Sequence, residues 1–272
     1  NQLGRSNNDL STALERLGSG FKINSAKDDA AGLQIASRLN AQVRGQDAAL
    51  YNSNNAMSMM QTAEGAFDEM TNIAYRMKEL ATQGANGTNG ADEYTALNAE
   101  YGALEEELKS IMDNTSFGGT NLLNPSDGKF DLAAVTFQVG SSTAETLEVD
   151  VTSEVQDINT AVAGGALGAL TGATPAASAT ASQGAMDLVD DLIDDIGSAR
   201  SALGASMNRL DHTMNNVTNM KENTQAAAST LMDADFAAET SNMTKQQLLM
   251  NSGISVLSTA NSTTQMIGSL LR

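Results

Sequence analysis

Cysteine and tryptophan are absent from this chain, and only two prolines and one histidine occur among its 272 residues. Without cysteine there is neither a disulfide framework nor thiol chemistry, an absence that permits secretion without identifying a compartment. One histidine, His212, excludes a multi-histidine metal site, and its place beside Asp211, off the nearest apolar stripe, reads as surface. Fifteen basic residues stand against 33 acidic ones, for a formal charge of -18. The basic residues form no run, so the clustered cations that nucleic acid requires are missing. No window reaches the ~18 consecutive apolar residues of a membrane span, and no charged-then-apolar signal peptide opens the chain. Membrane insertion is not expected, and export would need a route without a cleaved signal. The first residue is Asn1 rather than methionine, so the chain is expected to be processed or a fragment.

What the chain does contain is Ala, Leu, Met, Gln and Asn in abundance, the composition of long helices. From Val43 the apolar residues fall at Leu50, Met57, Met60, Phe67, Met70, Ala74, Met77 and Ala81, a helical stripe that stops in the Gly84–Gly90 turn formers. Asp92 and Glu93 suit the start of a second helix, running to about Asp113. After a loop at Thr115–Gly119, Val135, Phe137 and Val139 and then Leu147, Val149 and Val151 alternate about a Gly140-Ser-Ser turn, which predicts a β-hairpin. Residues 161–183, rich in Ala, Gly, Thr and Ser, read as a surface connection. From about Met186 the helical period returns at Val189, Ile193, Ile196, Leu203, Met207, Leu210, Met214 and Val217, a seam that the Val43–Ala81 stripe matches as an antiparallel partner. A last helix from about Asp235 carries Leu248, Leu249, Val256, Leu257, Ile267, Leu270 and Leu271 with little charge after Lys245. The expected fold is mainly α: long antiparallel helices in a coiled-coil-like bundle with a small β-hairpin region. At ~1.5 Å per residue the tail helix would measure roughly 55 Å against ~25 Å for Asn1–Leu17, so the tail has only half a partner in the opening segment.

Chemistry-bearing constellations are sparse. The acidic group Asp187, Asp190, Asp191, Asp194 and Asp195 lacks calcium-loop spacing and an internal glycine turn, and reads as a solvated face near a helix N-terminus. No nucleophile elbow, His-Glu-x-x-His or phosphate-cradling Gly-Lys motif occurs, so neither an enzyme nor a bound cofactor is expected. The methionines Met57, Met60, Met70, Met77, Met207 and Met214 stand at helical spacing, which suits a core better than a promiscuous binding face. Lys27-Asp28-Asp29, flanked by Ala26 and Ala30, can cap a helix through Asp28 or Asp29.

The segment Asn24-Ser-Ala-Lys-Asp-Asp-Ala-Ala-Gly32, the opening Arg16–Gly32 around it and the ending Ile267-Gly-Ser-Leu-Leu-Arg272 resemble bacterial flagellin. The resemblance covers roughly residues 1–124 and 185–272, the middle matching only in style. It implies a structural subunit of the flagellar filament with a reduced variable region, assembling for motility through its terminal helices. Residues 1–17 with 235–272 would form the inner core, 18–29 with 228–234 the connecting spoke, and 30–227 the outer core with its hairpin near 130–151 and a short variable linker near 161–183. The unequal ends imply a chain lacking a short N-terminal segment.

Roles for particular residues follow from the same resemblance. Asn24, Lys27, Asp28 and Asp29 would contact neighbouring subunits at the spoke, and Leu270, Leu271 and Arg272 would take part in assembly and match the terminal segment sensed inside animal cells. Arg76, Leu80 and Glu107 match positions read by the animal surface receptor, with Arg76 and Leu80 one helical turn apart on a shared face. Residues 15–36 look like the epitope read by plant receptors, with Glu15 and Phe21 departing from the usual glutamine and small polar residue. The implied partners are further copies of the chain, an export chaperone on the C-terminal helix, the filament cap and hook-junction proteins, and these animal and plant receptors. The implied location is the extracellular filament. A hook–filament junction protein and a glycan-binding surface homologue are the alternatives.

Overall fold

The computed structural model of the chain describes residues 2–270, with side chains to residue 266. Helices dominate: α1 Gln2–Ser19, α2 Ala30–Gly84, α3 Ala91–Asn114, α4 Lys129–Leu132, α5 Thr152–Val162, α6 Pro175–Met232 and α7 Phe236–Leu270. Two antiparallel pairs complete the fold: β1 Ser116–Phe117 with β2 Thr120–Asn121, and β3 Val135–Gln138 with β4 Thr146–Val149. The chain divides into two compact units, residues 45–218 and residues 1–44 with 219–272.

In the unit of residues 45–218, α2 and α6 form an antiparallel coiled coil. The buried residues of α2 alternate steps of three and four from Gln46 through Ala49, Ser53, Ala56, Met60, Ala63, Phe67, Met70, Ala74 and Met77 to Ala81. On α6 the same alternation runs Ser182, Ala185, Val189, Leu192, Ile196, Ala199, Leu203, Ser206, Leu210. A strict 3.5-residue repeat keeps each seam facing its partner only if the helices supercoil left-handedly. Cross-links fix the direction: Gly84 lies on Ser182, Lys78 pairs with Asp190, and Arg200 bridges Glu64 and Asp68, both at 2.9 Å. The apolar stripe expected from sequence occupies the seam from Met60 to Ala81, whereas Val43, Leu50 and Met57 flank it and Gln46, Ala49, Ser53 and Ala56 take the seam positions. Small or polar side chains occupy this stretch of the seam, so burial there does not follow hydrophobicity.

Helix α3 joins this core through the buried Tyr101, Leu108 and Met112, and the Tyr101 hydroxyl donates to the Leu167 carbonyl at 2.9 Å. Burial of that phenol drives its pKa well above the usual tyrosine value, so it stays a neutral donor at physiological pH. The β3–β4 hairpin pairs Val135 with Val149 and Phe137 with Leu147, and Leu147, Val149 and Val151 enter the core as the alternation requires. Two elements lie outside the sequence expectations. Gly118 and Gly119, with φ of 59° and 81°, turn β1 into β2 where only a loop is expected, and α5 buries Val155, Ile158 and Val162 on one helical face.

Residues 161–183 differ most from expectation. Leu167 and Leu170 are buried, and α6 begins at Pro175, with the Thr174 hydroxyl accepting the Ala177 N–H at 3.2 Å as an N-cap. Two leucines suffice to anchor the stretch to the core although the rest of it is small and polar. The early start also moves the acidic group 187–195 about three turns into α6, away from the N-terminal dipole that the sequence reading invoked. Asp190 pairs instead with Lys78, while burial and the charges of Asp157, Asp191, Asp194 and Glu154 push the Asp195 carboxyl above its usual range.

Candidate functional site

In the unit of residues 1–44 and 219–272, α1 lies antiparallel along the first half of α7. Arg16 pairs with the nearly buried Glu239 at 3.1 Å, and Leu3 packs so closely on Gly253 that a Cβ there would sit 2.9 Å from its Cδ2. Helix α1 ends because Gly20 takes a left-handed φ of 78°, its N–H returning to the Arg16 carbonyl at 2.9 Å. The chain then makes a short ladder with the α6–α7 junction. Phe21 bridges Asp233, the Lys22 N–H donates to the Met232 carbonyl at 2.6 Å, and the Ala234 N–H donates to the Gly20 carbonyl at 2.9 Å.

The Lys27-Asp28-Asp29 triplet completes this connector, and its two carboxylates have separate tasks. Asp28 accepts the Ser25 hydroxyl and the Ser25 and Asn24 N–H groups at 3.0, 2.9 and 3.2 Å, bonds that hold its carboxyl below the usual carboxylate range. Asp29 is the N-cap of α2, accepting the Gly32 N–H at 2.9 Å. At Gly32 a Cβ would lie 2.5 Å from the capping Asp29 Oδ2 and 2.8 Å from the Ile23 Cδ1, so a larger residue would have to displace both side chains. Lys27 is exposed with no ion pair among the described residues, and the buried Asn24 Nδ2 has no hydrogen-bond partner there. The choice left open by the sequence thus falls on Asp29 as the cap, with Asp28 bracing the turn before it.

Beyond Gly253, α7 runs past the N-terminal end of α1. Every residue from Ile254 to Met266 is exposed, with Ile254, Val256, Leu257 and Met266 each more than half accessible. An open groove of about 440 Å³ runs between Gln2 and Leu3 on one side and Leu249, Val256 and Leu257 on the other. A second groove of about 720 Å³ lies farther back, between Phe236 and Leu248. The side chain of Leu270, and Leu271 and Arg272 altogether, lie outside the described residues.

The sequence reading puts Arg76 and Leu80 on a shared face of α2, and the structure brings only Arg76 to the surface. Arg76 lies on the surface, held by Glu100 at 2.7 Å and Glu79 at 2.6 Å, which raise its already high pKa. Glu107 is exposed on α3, two turns beyond Glu100. Leu80 is only 1 % exposed. A separation of four residues turns the helix by about 400°, and the additional rotation carries Leu80 into the core that Tyr101 and its neighbours also form. Among the described residues no group of three or more His, Cys, Asp or Glu is arranged to hold a metal ion, and no helix there is long and apolar enough to cross a membrane. Sequence reasoning missed the Arg16–Glu239 pair, whose partners lie at opposite ends of the chain, whereas the Gly-Ser-Gly run at 18–20 was a visible signal for the turn at Gly20.

Residues 1–127 match the family model of the bacterial flagellin N-terminal helical region, and residues 186–271 that of the bacterial flagellin C-terminal helical region. The chain is 39 % identical over 261 residues to a flagellin of Halalkalibacterium halodurans, covering 96 % of this chain and 91 % of that one. It is 34 % identical over 367 residues to flagellin A of Vibrio anguillarum, covering 99 % and 96 %. Among solved structures it is similar to a putative flagellar hook-associated protein from Vibrio parahaemolyticus, with a TM-score of 0.57 over 75 % of this chain and 99 % of that one; at 14 % identity the likeness is one of fold.

Proposed function

The chain belongs to the bacterial flagellins and is a structural subunit of the flagellar filament, outside the cell; from that premise we propose that its α1–α7 unit assembles by burying the exposed Ile254–Met266 stretch of α7 against other subunits. The observation that carries this is the unbroken exposure of Ile254–Met266. Each large apolar side chain left in water forgoes roughly 1.5–3 kcal/mol, so several together give copies of the chain a strong reason to associate. Residues 1–17 and 235–272 act as the inner core, 18–29 and 228–234 as the spoke, and 30–227 as the outer core. At the spoke, Lys27 and the unpartnered Asn24 amide face the neighbouring subunit, while Asp28 and Asp29 hold the turn that presents them. Leu270, Leu271 and Arg272 extend the same assembling end. No catalysis or cofactor enters this role.

Before assembly the same α7 surface needs cover, and an export chaperone gripping it would carry the chain to secretion without a cleaved signal peptide. Filament cap and hook-junction proteins meet the subunit once outside. Charging the surface tests the scheme. Val256→Asp with Leu257→Asp changes two exposed positions, so the unfolding midpoint should hold, whereas sedimentation after seeding with filament fragments should fall to background. Polymerisation at the normal rate would overturn the assembly reading. Host receptor recognition is a second reading, supported by the exposure of Arg76 and Glu107, with Leu80 shaping the face from beneath. Arg76→Ala should lower activation of an animal reporter line far more than Lys22→Ala, and equal effects would count against that face.

A further inference from the structure

The turn between α2 and α3 holds two Asn-Gly junctions, Asn86-Gly87 and Asn89-Gly90, and the fold treats them in opposite ways. We propose that Asn86 is a site of spontaneous deamidation, a chemical modification that the folded chain promotes at this junction and suppresses three residues later.

The reaction needs a backbone amide nitrogen free to attack the asparagine side-chain carbonyl one residue before it. The Gly87 nitrogen gives up its proton to a solvent base and bonds to the Asn86 Cγ. The Cγ–Nδ2 bond then breaks, and the nitrogen leaves as ammonia after taking a proton from water. Water opens the resulting succinimide at either carbonyl, leaving aspartate or an isoaspartyl linkage. The balance is one water consumed and one ammonia released, with no oxidant or cofactor.

At Asn86 each requirement is met. The residue is exposed, and its Oδ1 accepts the Thr88 N–H at 3.3 Å, which folds the side chain forward over the Gly87 peptide and polarises the carbonyl under attack. The Gly87 N–H has no partner among the described residues, and beyond its two chain neighbours no heavy atom there lies within 4 Å of where its Cβ would stand, so the nucleophile is open to solvent base. Asn89 is the reverse. Its Nδ2 donates backwards to the Gln83 carbonyl at 2.7 Å, turning the amide away from the next peptide, and the Gly90 N–H is held by the Glu93 carboxylate at 2.9 Å. Two hydrogen bonds must break before Asn89 can react.

The modification has a structural consequence. The Asn86 carbonyl accepts both the Tyr94 hydroxyl at 3.2 Å and the Asn89 N–H at 3.3 Å, tying the end of α2 to the start of α3. An isoaspartyl linkage inserts a backbone carbon at this tie, and both products add a negative charge.

Incubating the purified full chain in mildly alkaline buffer, with and without urea, tests the proposal by tandem mass spectrometry of the tryptic peptide 79–109, which carries both sites. In the native chain Asn86 should deamidate faster than Asn89 by roughly tenfold or more, the equivalent of the bonds Asn89 must first break. In urea the two rates should converge. Gly87→Ala should suppress reaction at Asn86, and Glu93→Ala, by releasing the Gly90 N–H, should raise the rate at Asn89. Equal rates in the native chain, a faster Asn89, or an Asn86 that reacts only in urea would overturn it.

Discussion

Replacing Gln46 with leucine should make this protein more stable. Gln46 is 1 % exposed on the α2 seam, and neither its Oε1 nor its Nε2 has a hydrogen-bond partner among the described residues. A buried polar group without a partner costs about 1–3 kcal/mol, and leucine of similar volume removes the cost while adding apolar burial. A gain of about 2 kcal/mol, with a urea m-value on the order of 3 kcal/mol/M, raises the unfolding midpoint by about 0.7 M. All four tyrosines, Tyr51, Tyr75, Tyr94 and Tyr101, belong to the unit of residues 45–218 and no tryptophan is present, so tyrosine fluorescence reports on that unit. An unchanged or lowered midpoint at constant m would refute the reasoning and mean that a buried water or a neighbouring group satisfies the amide. Polar residues at seam positions commonly fix register at a cost in stability, and the same variant should show broader exchange in its α2 amide resonances.

Asp195 has a raised pKa in the folded chain, so folding is penalised above that pKa, where the carboxyl is charged in both states, and the penalty fades as pH falls through it. Asp195→Asn should therefore raise the thermal midpoint at neutral pH and lose this advantage in acid, as scanning calorimetry at two pH values would show; an equal gain at both would remove charge as the cause. Gly20→Ala forces an alanine into a left-handed φ of 78° and should cost about 1–2 kcal/mol, appearing as faster hydrogen exchange at the α1 C-terminus, and unchanged protection would show that the turn relaxes freely. With -18 on each subunit, light scattering should rise with sulfate concentration as repulsion is screened and burial favoured; a flat curve would remove charge as the limiting factor.

The long helices were legible because Met60, Phe67, Met70 and Met77, and opposite them Val189, Ile196, Leu203 and Leu210, repeat an apolar spacing too regular for another structure. The seam between Gln46 and Ala56 was not, because Gln46, Ala49, Ser53 and Ala56 are buried there although none is a large apolar residue. Helix α5 and the start of α6 were legible in principle: Val155, Ile158 and Val162 share a face, and Thr174-Pro175 is a helix-start signal. The small-residue composition around them concealed both. At the candidate site, the sequence marked Asn24–Asp29 and the apolar tail, whereas the separate tasks of Asp28 and Asp29 depend on which N–H groups the turn aims at each carboxylate. The burial of Leu80 was not legible, because spacing alone does not show that the remaining rotation ends inside the core.

Hydrogen exchange across α7, compared between free subunits and assembled filaments, bears most directly on the central claim. Amides from Ile254 to Met266 should exchange rapidly in the free chain and become strongly protected in the filament, while those from Met60 to Ala81 on α2 stay protected in both. Equal exchange of the α7 segment before and after assembly would contradict the account.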